Sequence, residues 1–288
     1  MRPLTSILQN GRLHLHHGPI DLIVAAEGQG RAAALAAAEV RFRSILDGLV
    51  SELVQHRRPL VDLSFSPKDH TAKRMYGAAR AFASEYWLTP MIAVAGSVAD
   101  EVLAAMRNAT SKCERISVNN GGDIAINLAA GQRFSIAVVS SNGRDLARIN
   151  IVHDDGVRGI ATSGTGGRSF SLGIADTVTV LAHSAAQADV AATLIANSID
   201  LPENTEIERI PANQIAPDSD LGGKLVVVKV PELNASQITA ALQRGRQVAK
   251  QFVTQRRIVA AALFLQDQCE TVNGSFFAHR RELEVVNG

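Results

Sequence analysis

The chain has 288 residues, 46% of them hydrophobic and 20% charged, so it is long and apolar enough to bury a core of its own. Its 29 Lys and Arg balance 28 Asp and Glu, and the paired basic residues are scattered, which argues against a nucleic-acid partner. The two cysteines, Cys113 and Cys269, lie far apart without C-x-x-C spacing, which argues against a disulfide framework or a structural zinc site.

The apolar segments bear on localisation. Residues 1–18 contain no continuous apolar stretch of the signal-peptide type, and the longest apolar run, 258–265, is too short to span a bilayer. We therefore expect a cytoplasmic protein with no membrane partner.

The amino-terminal segment predicts strands followed by a helix. Residues 13–25 have the alternation of one or two strands, broken at Gly18-Pro19. Apolar residues at steps of three and four over 31–55 predict one amphipathic helix.

Two further helices are predicted next. Ser66 offers an N-cap, with Pro67 at the first position of a helix that we expect to continue to Phe82. A third helix is expected over about residues 97–107, where apolar residues share a face.

The pattern then changes to short alternating segments. From Cys113 to Thr162 these segments are separated by turns that contain Gly, Asn or Asp, which predicts an antiparallel meander. The β-branched stretch 176–182 predicts another strand. Ser184 and Gln187 then have capping-box spacing and open a helix.

The last part of the chain mixes loop, strand and helix. Residues 202–223 predict a polar loop, either functional or a linker. We expect a strand at 224–230, a helix capped at "NASQ", and a buried strand at 258–266. The tail 271–288 is expected either to fold on a neighbouring segment or to fray.

Two of the predicted helices have similar sequences in their first turns. "SVADEVLAAM" and "QADVAATLIA" each place Ala-Asp in the first turn of an Ala-rich helix beside a strand. A duplicated α/β unit would explain this similarity, although the helix dipole alone also favours an acid near an N-terminus.

The segment "VNNGGDI" (118–124) combines a turn signal with bare backbone. Asn-Gly between alternating hydrophobic residues predicts a primed hairpin turn. Gly121 and Gly122 would also let a planar or phosphorylated ligand approach the main chain, with Asp123 beside it as a hydrogen-bond acceptor or metal-facing carboxylate. The two interpretations are compatible.

The segment "IATSGTGGRS" (160–169) combines hydroxyl groups and glycines with Arg168. Such a loop can present backbone N–H groups and an arginine to phosphate oxygens. Its spacing matches neither a P-loop nor a dinucleotide fingerprint, and a mobile surface loop is the open alternative.

The segment "ADVAAT" (188–193) predicts a cation site on a helix. Asp189 and Thr193 stand four residues apart on one face, so both oxygens can reach one hard cation such as Mg²⁺. The alternative is an acid that complements the helix dipole and a threonine bonded to its own turn.

The amino-terminal histidines give a weaker metal signal. His14 and His16 share one face of the predicted strand. With no matching carboxylate or cysteine close in sequence, we assign no metal site there.

Four segments taken in order resemble the ApbE-like superfamily, whose best-known members are magnesium-dependent FAD:protein FMN transferases. They are "PMIAVAGSVADEVLAAM", "NNGGDI", "ATSG" and "VTVLAHSAAQADVAATL", and their order and spacing agree over roughly residues 90–200. More closely, the chain resembles a branch of conserved, uncharacterised proteins within that superfamily, over most of its length.

The resemblance implies a mixed α/β fold of ApbE-like type. It consists of two related α/β units around a largely antiparallel sheet, with helices on the outside. We expect one ApbE-like domain over 1–288, with two intertwined subdomains at about 1–110 and 111–270 and a tail at 271–288.

The resemblance also implies a site and a cofactor. Mg²⁺ would be held by Asp189 and Thr193, helped by backbone carbonyls. FAD or FMN would be bordered by residues of the two glycine-rich segments, namely Asn120, Gly121, Gly122, Asp123, Thr162, Ser163, Gly164 and Arg168. The implied function is Mg²⁺-dependent binding of a flavin nucleotide, with cleavage of FAD or transfer of FMN from it.

Two departures keep an alternative open. Transferases of the superfamily usually carry a lysine where this chain has Ala95, and a His-Ile-x-Asp-Pro type element where it has "SFSLGIAD". The alternative is a non-catalytic ligand-binding or accessory protein on the same scaffold, with a link to sulfur assimilation through Cys113 as a variant. Catalytic residues and a protein acceptor are not assigned, and a homodimer remains open.

Overall fold

The computed structural model describes residues 2–61, 65–139, 143, 145–167 and 169–279. The strands are β1 (Leu4–Ile7), β2 (Leu13–His17), β3 (Ile20–Gly28), β4 (Cys113–Asn120), β5 (Asp123–Leu128), β6 (Arg133–Val139), β7 (Asp145–Val152), β8 (Gly159–Ser163), β9 (Thr177–Ala182), β10 (Glu208–Pro211), β11 (Leu225–Lys229), β12 (Ala260–Leu265), β13 (Gln268–Val272) and β14 (Phe277–His279). The helices are α1 (Arg31–Phe42), α2 (Ile45–Ser51), α3 (Leu53–His56), α4 (His70–Arg80), α5 (Val94–Ala109), α6 (Ala185–Ser198), α7 (Ala212–Ile215) and α8 (Ala235–Thr254).

Within the described residues, nine strands form one sheet in the order β1-β2-β3-β4-β5-β8-β9-β12-β13. The neighbouring pairs with a defined register run antiparallel, which confirms the expected mixed α/β fold with a largely antiparallel sheet. The prediction of a simple antiparallel meander over 113–162 was wrong, because β5 pairs with β8 while β6 and β7 form a separate sheet with β14. β6 is mostly exposed or half-buried, whereas the first three residues of β8 are buried; the apolar alternation of β6 does not report which sheet it joins.

The chain divides into two compact units, each assembled from segments that are distant in sequence. The first comprises Met1–Phe134, Val152–Ala161 and Ala182–Val190, and the second comprises Ser135–Ile151, Thr162–Leu181 and Ala191–Gly288. Among the residues that the structure describes, no helix has the length and apolar character that crossing a bilayer requires.

The first unit packs helices on one face of its strands. β2 and β3 alternate buried and half-buried residues, with Leu15 and Leu22 fully buried. α1 contacts β3, and α5 contacts β4 and β5. α5 contributes Val98, Val102 and Met106, which lie four residues apart and are almost completely buried. Burial of a side chain of this size contributes roughly 1.5–3 kcal/mol, so this layer is a main source of the unit's stability.

The helix predicted over 31–55 is broken into α1, α2 and α3. At the first break, the Ser44 hydroxyl donates to the Arg41 carbonyl oxygen at 3.3 Å. A serine hydroxyl bonded to the preceding turn competes with continuation of a helix, and the apolar periodicity does not report this competition.

The next helix starts later than predicted. Ser66 and Pro67 lie outside α4, whose N-cap is Asp69. The Asp69 carboxylate accepts hydrogen bonds of 2.8 and 3.1 Å from two N–H groups of the first turn. Two charge-assisted cap bonds stabilise this start more than a single serine hydroxyl would. The third predicted helix is confirmed as α5, beginning three residues earlier than expected.

The second unit confirms several predictions for the carboxy-terminal part of the chain. Asn234 caps α8 by accepting from the Gln237 N–H, and the Gln237 side chain accepts from the Asn234 N–H. All six residues of β12 are buried. The loop predicted over 202–223 carries β10 and α7, and the described part of the tail folds back as β14 onto β7.

The first turn of α6 is approached at backbone distance by two glycines of the first unit. A Cβ on Gly96 would lie 2.3 Å from the carbonyl oxygen of Ala185, and one on Gly159 would lie 2.1 Å from the carbonyl carbon of Ser184. Both distances are far below van der Waals contact, so any side chain at either position would separate these backbones.

We predict opposite effects for two glycine-to-alanine changes. Gly96→Ala should lower the free energy of unfolding by about 3 kcal/mol, because the added methyl meets backbone atoms. Gly77→Ala, on α4 with nothing within 4 Å of the added Cβ, should raise it by about 0.5–1 kcal/mol. Urea unfolding of both variants measures the difference, and an equal effect of the two changes would contradict the close approach.

Candidate functional site

The carboxylate of Asp189 lies at the first turn of α5. Its Oδ2 accepts a hydrogen bond of 3.0 Å from the Gly96 N–H, and the Ala95 N–H also donates to it. These N–H groups have no partner within their own helix, so an acid from α6 satisfies the start of α5. The approach of Gly96 to α6 makes this contact geometrically accessible.

The carboxylate of Asp100 makes the converse contact from α5 to α6. Its two oxygens accept from the N–H groups of Ala185 at 3.1 Å and Ala186 at 2.9 Å. Ser184 provides the local cap of α6, since its hydroxyl oxygen accepts from the Gln187 N–H at 3.2 Å. That serine cap confirms the sequence prediction, whereas the role of Asp100 had not been anticipated.

Two other carboxylates act electrostatically on Asp189. The pKa of Asp189 is raised well above its ordinary value, first by burial, then by the charge of Asp123 and less by that of Asp100, against the hydrogen bonds from backbone N–H groups. The pKa of Asp100 is raised as well, mainly by burial, and its two backbone hydrogen bonds oppose the shift. Negative charge is therefore costly at this point of the fold.

The double-glycine bend joins β4 to β5 beside the same helix start. Asn120 and Asp123 face each other across the hairpin, and Gly121 (φ 67°) and Gly122 (φ 114°) both have positive φ. The turn predicted from "NNGGD" is thus confirmed, since such backbone angles favour glycine. The buried Asn120 donates from its Nδ2 to the Ala95 carbonyl oxygen at 3.1 Å, which ties the bend to the first turn of α5.

The first unit therefore brings together Asp189, Asp123 and the Asn120–Gly122 bend. Thr193 lies one helical turn after Asp189 on α6 and is half-buried. Its predicted role as a metal ligand stays a prediction.

The second glycine-rich segment belongs mostly to the second unit and is ordered by its own backbone. The N–H groups of Thr165 and Gly166 donate to the carbonyl oxygens of Ala175 and Asp176, so these two donors are already used. A Cβ on Gly164 would lie 2.5 Å from the Asp176 carbonyl oxygen, which explains this glycine by close approach.

The hydroxyl groups of this segment have different surroundings. Thr162 is exposed, and its Oγ1 lies 3.1 Å from the Oγ1 of the buried Thr179. Ser163 is half-buried. Arg168 lies outside the described residues, so the predicted phosphate-binding role of this segment stays a prediction.

The amino-terminal histidines have a partner that the sequence analysis missed. His14 Nε2 lies 2.5 Å from Oδ1 of Asp21, a carboxylate on the neighbouring strand, and the His14 and His16 rings are 6.4 Å apart. The expectation that these histidines have no matching carboxylate was therefore wrong. The β2–β3 hairpin places Asp21 opposite His16, and the Asp21 side chain reaches the ring of His14. Still, within the described parts of the chain, no group of three or more His, Cys, Asp or Glu residues is arranged to hold a metal ion.

Cys113 has the features of a structural residue. It is 7% exposed, and burial raises the pKa of its thiol, which disfavours the reactive thiolate. These features give no support to direct sulfur chemistry at this residue.

The residues at the start of α5 fit a hard divalent cation. Mg²⁺ is commonly held by one or two carboxylates, with water and substrate phosphates at its other positions, so a three-residue cluster is not required. Asp189 and Asp123 supply such oxygens, and their mutual repulsion is what a cation would relieve. A bound Mg²⁺ would supply charge neutralisation and Lewis acidity toward phosphoryl oxygens.

This arrangement defines a mixed α/β protein with an acidic cluster at the start of a helix, beside a glycine bend. A family model described as "AbpE bacteria" matches residues 5–271, and the chain belongs to this ApbE-like family.

Curated relatives carry the name UPF0280 protein. The relative MK0206 from Methanopyrus kandleri is 34% identical over 189 residues, which cover 64% of this chain and 73% of the relative. The relative from Methanothermobacter thermautotrophicus is 37% identical over 117 residues, 40% of this chain and 44% of the relative. The one from Methanothrix thermoacetophila is 36% identical over 149 residues, 49% of this chain and 60% of the relative. The chain thus spans less than two thirds of the length of two of these three relatives.

Solved structures of ApbE proteins are similar over nearly the whole chain at low identity. The ApbE protein of Thermotoga maritima has a TM-score of 0.45 and 12% identity, with 98% of both chains covered. The apo flavinyl transferase ApbE of Pseudomonas stutzeri has a TM-score of 0.42 and 14% identity, with 94% of this chain and 93% of that chain covered.

We predict a pH-dependent effect of Asp189→Asn on stability in the absence of divalent ions. A carboxyl with a raised folded-state pKa favours the fold below its ordinary value of 3.8, and this contribution is lost as the pH rises through the folded-state pKa. The variant should therefore be more stable than the parent protein at pH 7, and the difference should shrink toward pH 3.

Urea unfolding across this pH range measures the difference between the two proteins. Glu203→Gln, at an exposed turn, serves as the control and should change stability by less than about 0.5 kcal/mol. An Asp189→Asn protein that is less stable at pH 7 would contradict the raised pKa.

Proposed function

We propose that this protein binds a flavin nucleotide, FAD or FMN, together with Mg²⁺ held at Asp189 and Asp123. The observation that carries the proposal is that Asp189, bound at the first turn of α5, is close enough to Asp123 for the charge of Asp123 to raise its pKa, and that Asp123 ends the Gly121-Gly122 bend. The four sequence segments that resemble Mg²⁺-dependent flavin transferases support the same conclusion, and the family match agrees with it.

Different residues of the chain would bind the cation and the nucleotide. Asp189 and Asp123 would provide the oxygens that hold the cation, and Thr193, one turn later on α6, is proposed as a further donor. Asn120 would hold the bend against the start of α5. The two glycines of the bend carry no side chains that would keep a planar ring or a phosphate from the backbone, although the Gly122 N–H already donates to Asn119 Oδ1. The hydroxyl groups of Thr162 and Ser163 remain proposed phosphate contacts.

Transfer of FMN to another protein is less well supported than binding. At position 95 the side chain is a methyl group, and the backbone of Ala95 already contacts Asn120 and Asp189. An alanine cannot donate a proton or neutralise a phosphate as a lysine can. Binding of FAD with Mg²⁺, followed by cleavage of its diphosphate, needs no protein acceptor and is the activity we propose first.

A second candidate is a non-catalytic binding protein on the same scaffold. The methyl side chain of Ala95 and the lack of histidine in "SFSLGIAD" favour it, because both remove groups that could transfer protons. In this case FAD and Mg²⁺ would bind without turnover.

We predict that flavin emission changes when the purified protein is titrated with FAD in the presence of Mg²⁺. Asp189→Ala should weaken the apparent Mg²⁺ affinity by about 100-fold, because it removes a charged ligand. His14→Ala, which removes the histidine of the His14–Asp21 pair, should leave this affinity unchanged.

Two results would defeat this proposal. One is the absence of any emission change or binding heat, with and without the metal. The other is an equal loss of Mg²⁺ affinity in both variants, which would mean that the site is elsewhere.

Mass spectrometry of the flavin products separates the two candidates. Hydrolysis would release FMN and AMP from FAD in a Mg²⁺-dependent reaction that Asp189→Ala abolishes. FAD recovered intact after prolonged incubation with a protein that binds it would favour the non-catalytic candidate.

A further inference from the structure

The helices α5 and α6 cap each other. The acid of α6, Asp189, accepts from the first turn of α5 at Gly96, and the acid of α5, Asp100, accepts from the first turn of α6 at Ala185 and Ala186. The two contacts have the same spacing along their helices. Asp100 lies four residues after Gly96 on α5, and Asp189 lies four residues after Ala185 on α6. The Ala-Asp dipeptide that is repeated in the two helices thus corresponds to a pair of reciprocal contacts.

We propose that Asp100 is a positioning residue that fixes the carboxylate of Asp189 for cation binding. This inference rests on the proposed function, because it assigns Asp100 a role in the same Mg²⁺ site. Asp100 would act through the first turn of α6, and no direct contact with the ion is required.

The path from Asp100 to Asp189 is short and rigid. The two N–H groups that Asp100 binds belong to residues three and four positions before Asp189, within one helical turn. Backbone groups in a helix cannot move independently, so a shift of this turn carries the Asp189 carboxylate with it. Because Asp100 is itself part of α5, the contacts run from α5 to α6 and back to α5 at Gly96.

The adjacent acid on α5 has different partners. Glu101 is paired with Arg41 at 2.8 Å and with Arg74 at 2.7 Å, and these bonds lower the pKa of Glu101 against the effect of burial. Asp100 instead directs both oxygens to backbone N–H groups of α6. A carboxylate that orients a ligand from behind typically changes metal affinity by about 10–100-fold when it is removed.

Asp69 offers a matched control within the same unit. Its carboxylate also accepts from two N–H groups of a helical first turn, at 2.8 and 3.1 Å, but that helix is α4. Asp69→Ala and Asp100→Ala therefore remove the same kind of cap, and only the second removes a contact to the helix that carries Asp189. Asp69→Ala also removes the ion pair of 3.6 Å with Arg41, whose bond to Glu101 stays in place.

The experiment compares the two variants by Mg²⁺ titration in the presence of FAD and by hydrogen exchange of the Gly96 amide without metal. Asp100→Ala should weaken Mg²⁺ binding by about 10-fold or more. It should also speed exchange at Gly96 by about 10-fold, because the Asp189 cap is loosened. Asp69→Ala should change neither quantity, even where it lowers the unfolding midpoint as much as Asp100→Ala does.

The amide measurement separates failure of this inference from failure of the proposed function. A parent protein that binds no Mg²⁺ defeats the proposed site, whereas an unchanged Gly96 exchange rate in Asp100→Ala defeats the positioning role in either case. Equal effects of Asp69→Ala and Asp100→Ala would also overturn it. If Asp100→Ala does not fold, Asp100→Asn, which keeps one acceptor oxygen, should show the same changes at reduced size.

Discussion

The close approach of two helix starts is the constraint on which the candidate site depends. Gly96 and Gly159 have no side chain, and this lets the first turns of α5 and α6 approach at backbone distance. N–H groups at a buried helix start need acceptors, and here Asp189 and Asp100 provide them across the contact. A buried N–H group left without an acceptor would cost about 1–3 kcal/mol, so these bonds hold the contact closed.

The same arrangement has an electrostatic cost that connects the fold to function. Burial raises the pKa of both acids, and Asp123 on the neighbouring hairpin raises that of Asp189 further. Helix dipoles and N–H donors offset part of this cost. A divalent cation would offset more of it, and the proposed flavin diphosphate would bring further negative charge to that cation. The cost of negative charge at this point of the fold is the physical reason for the cation that we propose there.

Much of the fold followed from periodicity and turn chemistry, because these signals are local. The hairpin at Gly121 and Gly122, the Ser184 cap and the capping box of α8 were all predicted and confirmed. The break of the first helix at Ser44 and the start of α4 at Asp69 were missed. Both depend on which of several polar side chains forms a hydrogen bond with a nearby backbone group.

The candidate site was predictable only in part. "NNGGD" and "DVAAT" named Asp123 and Asp189, but no spacing in the sequence shows that Asp100 reaches α6, because the contact joins residues 85 positions apart. The repeated Ala-Asp dipeptide was the available signal. It indicated a duplicated α/β unit, but it did not indicate that the two helices contact each other. The pairing of His14 with Asp21 likewise depends on strand register, which a search for neighbouring acids does not include.

The most direct test of the central claim is an anomalous diffraction measurement on crystals of the full chain grown with FAD and Mn²⁺ as a substitute for Mg²⁺. The account predicts a manganese peak beside the carboxylate of Asp189, at the start of α5, with flavin density next to it. Crystals that contain bound FAD but show no manganese there, or show it only at the His14–Asp21 pair, would contradict the account.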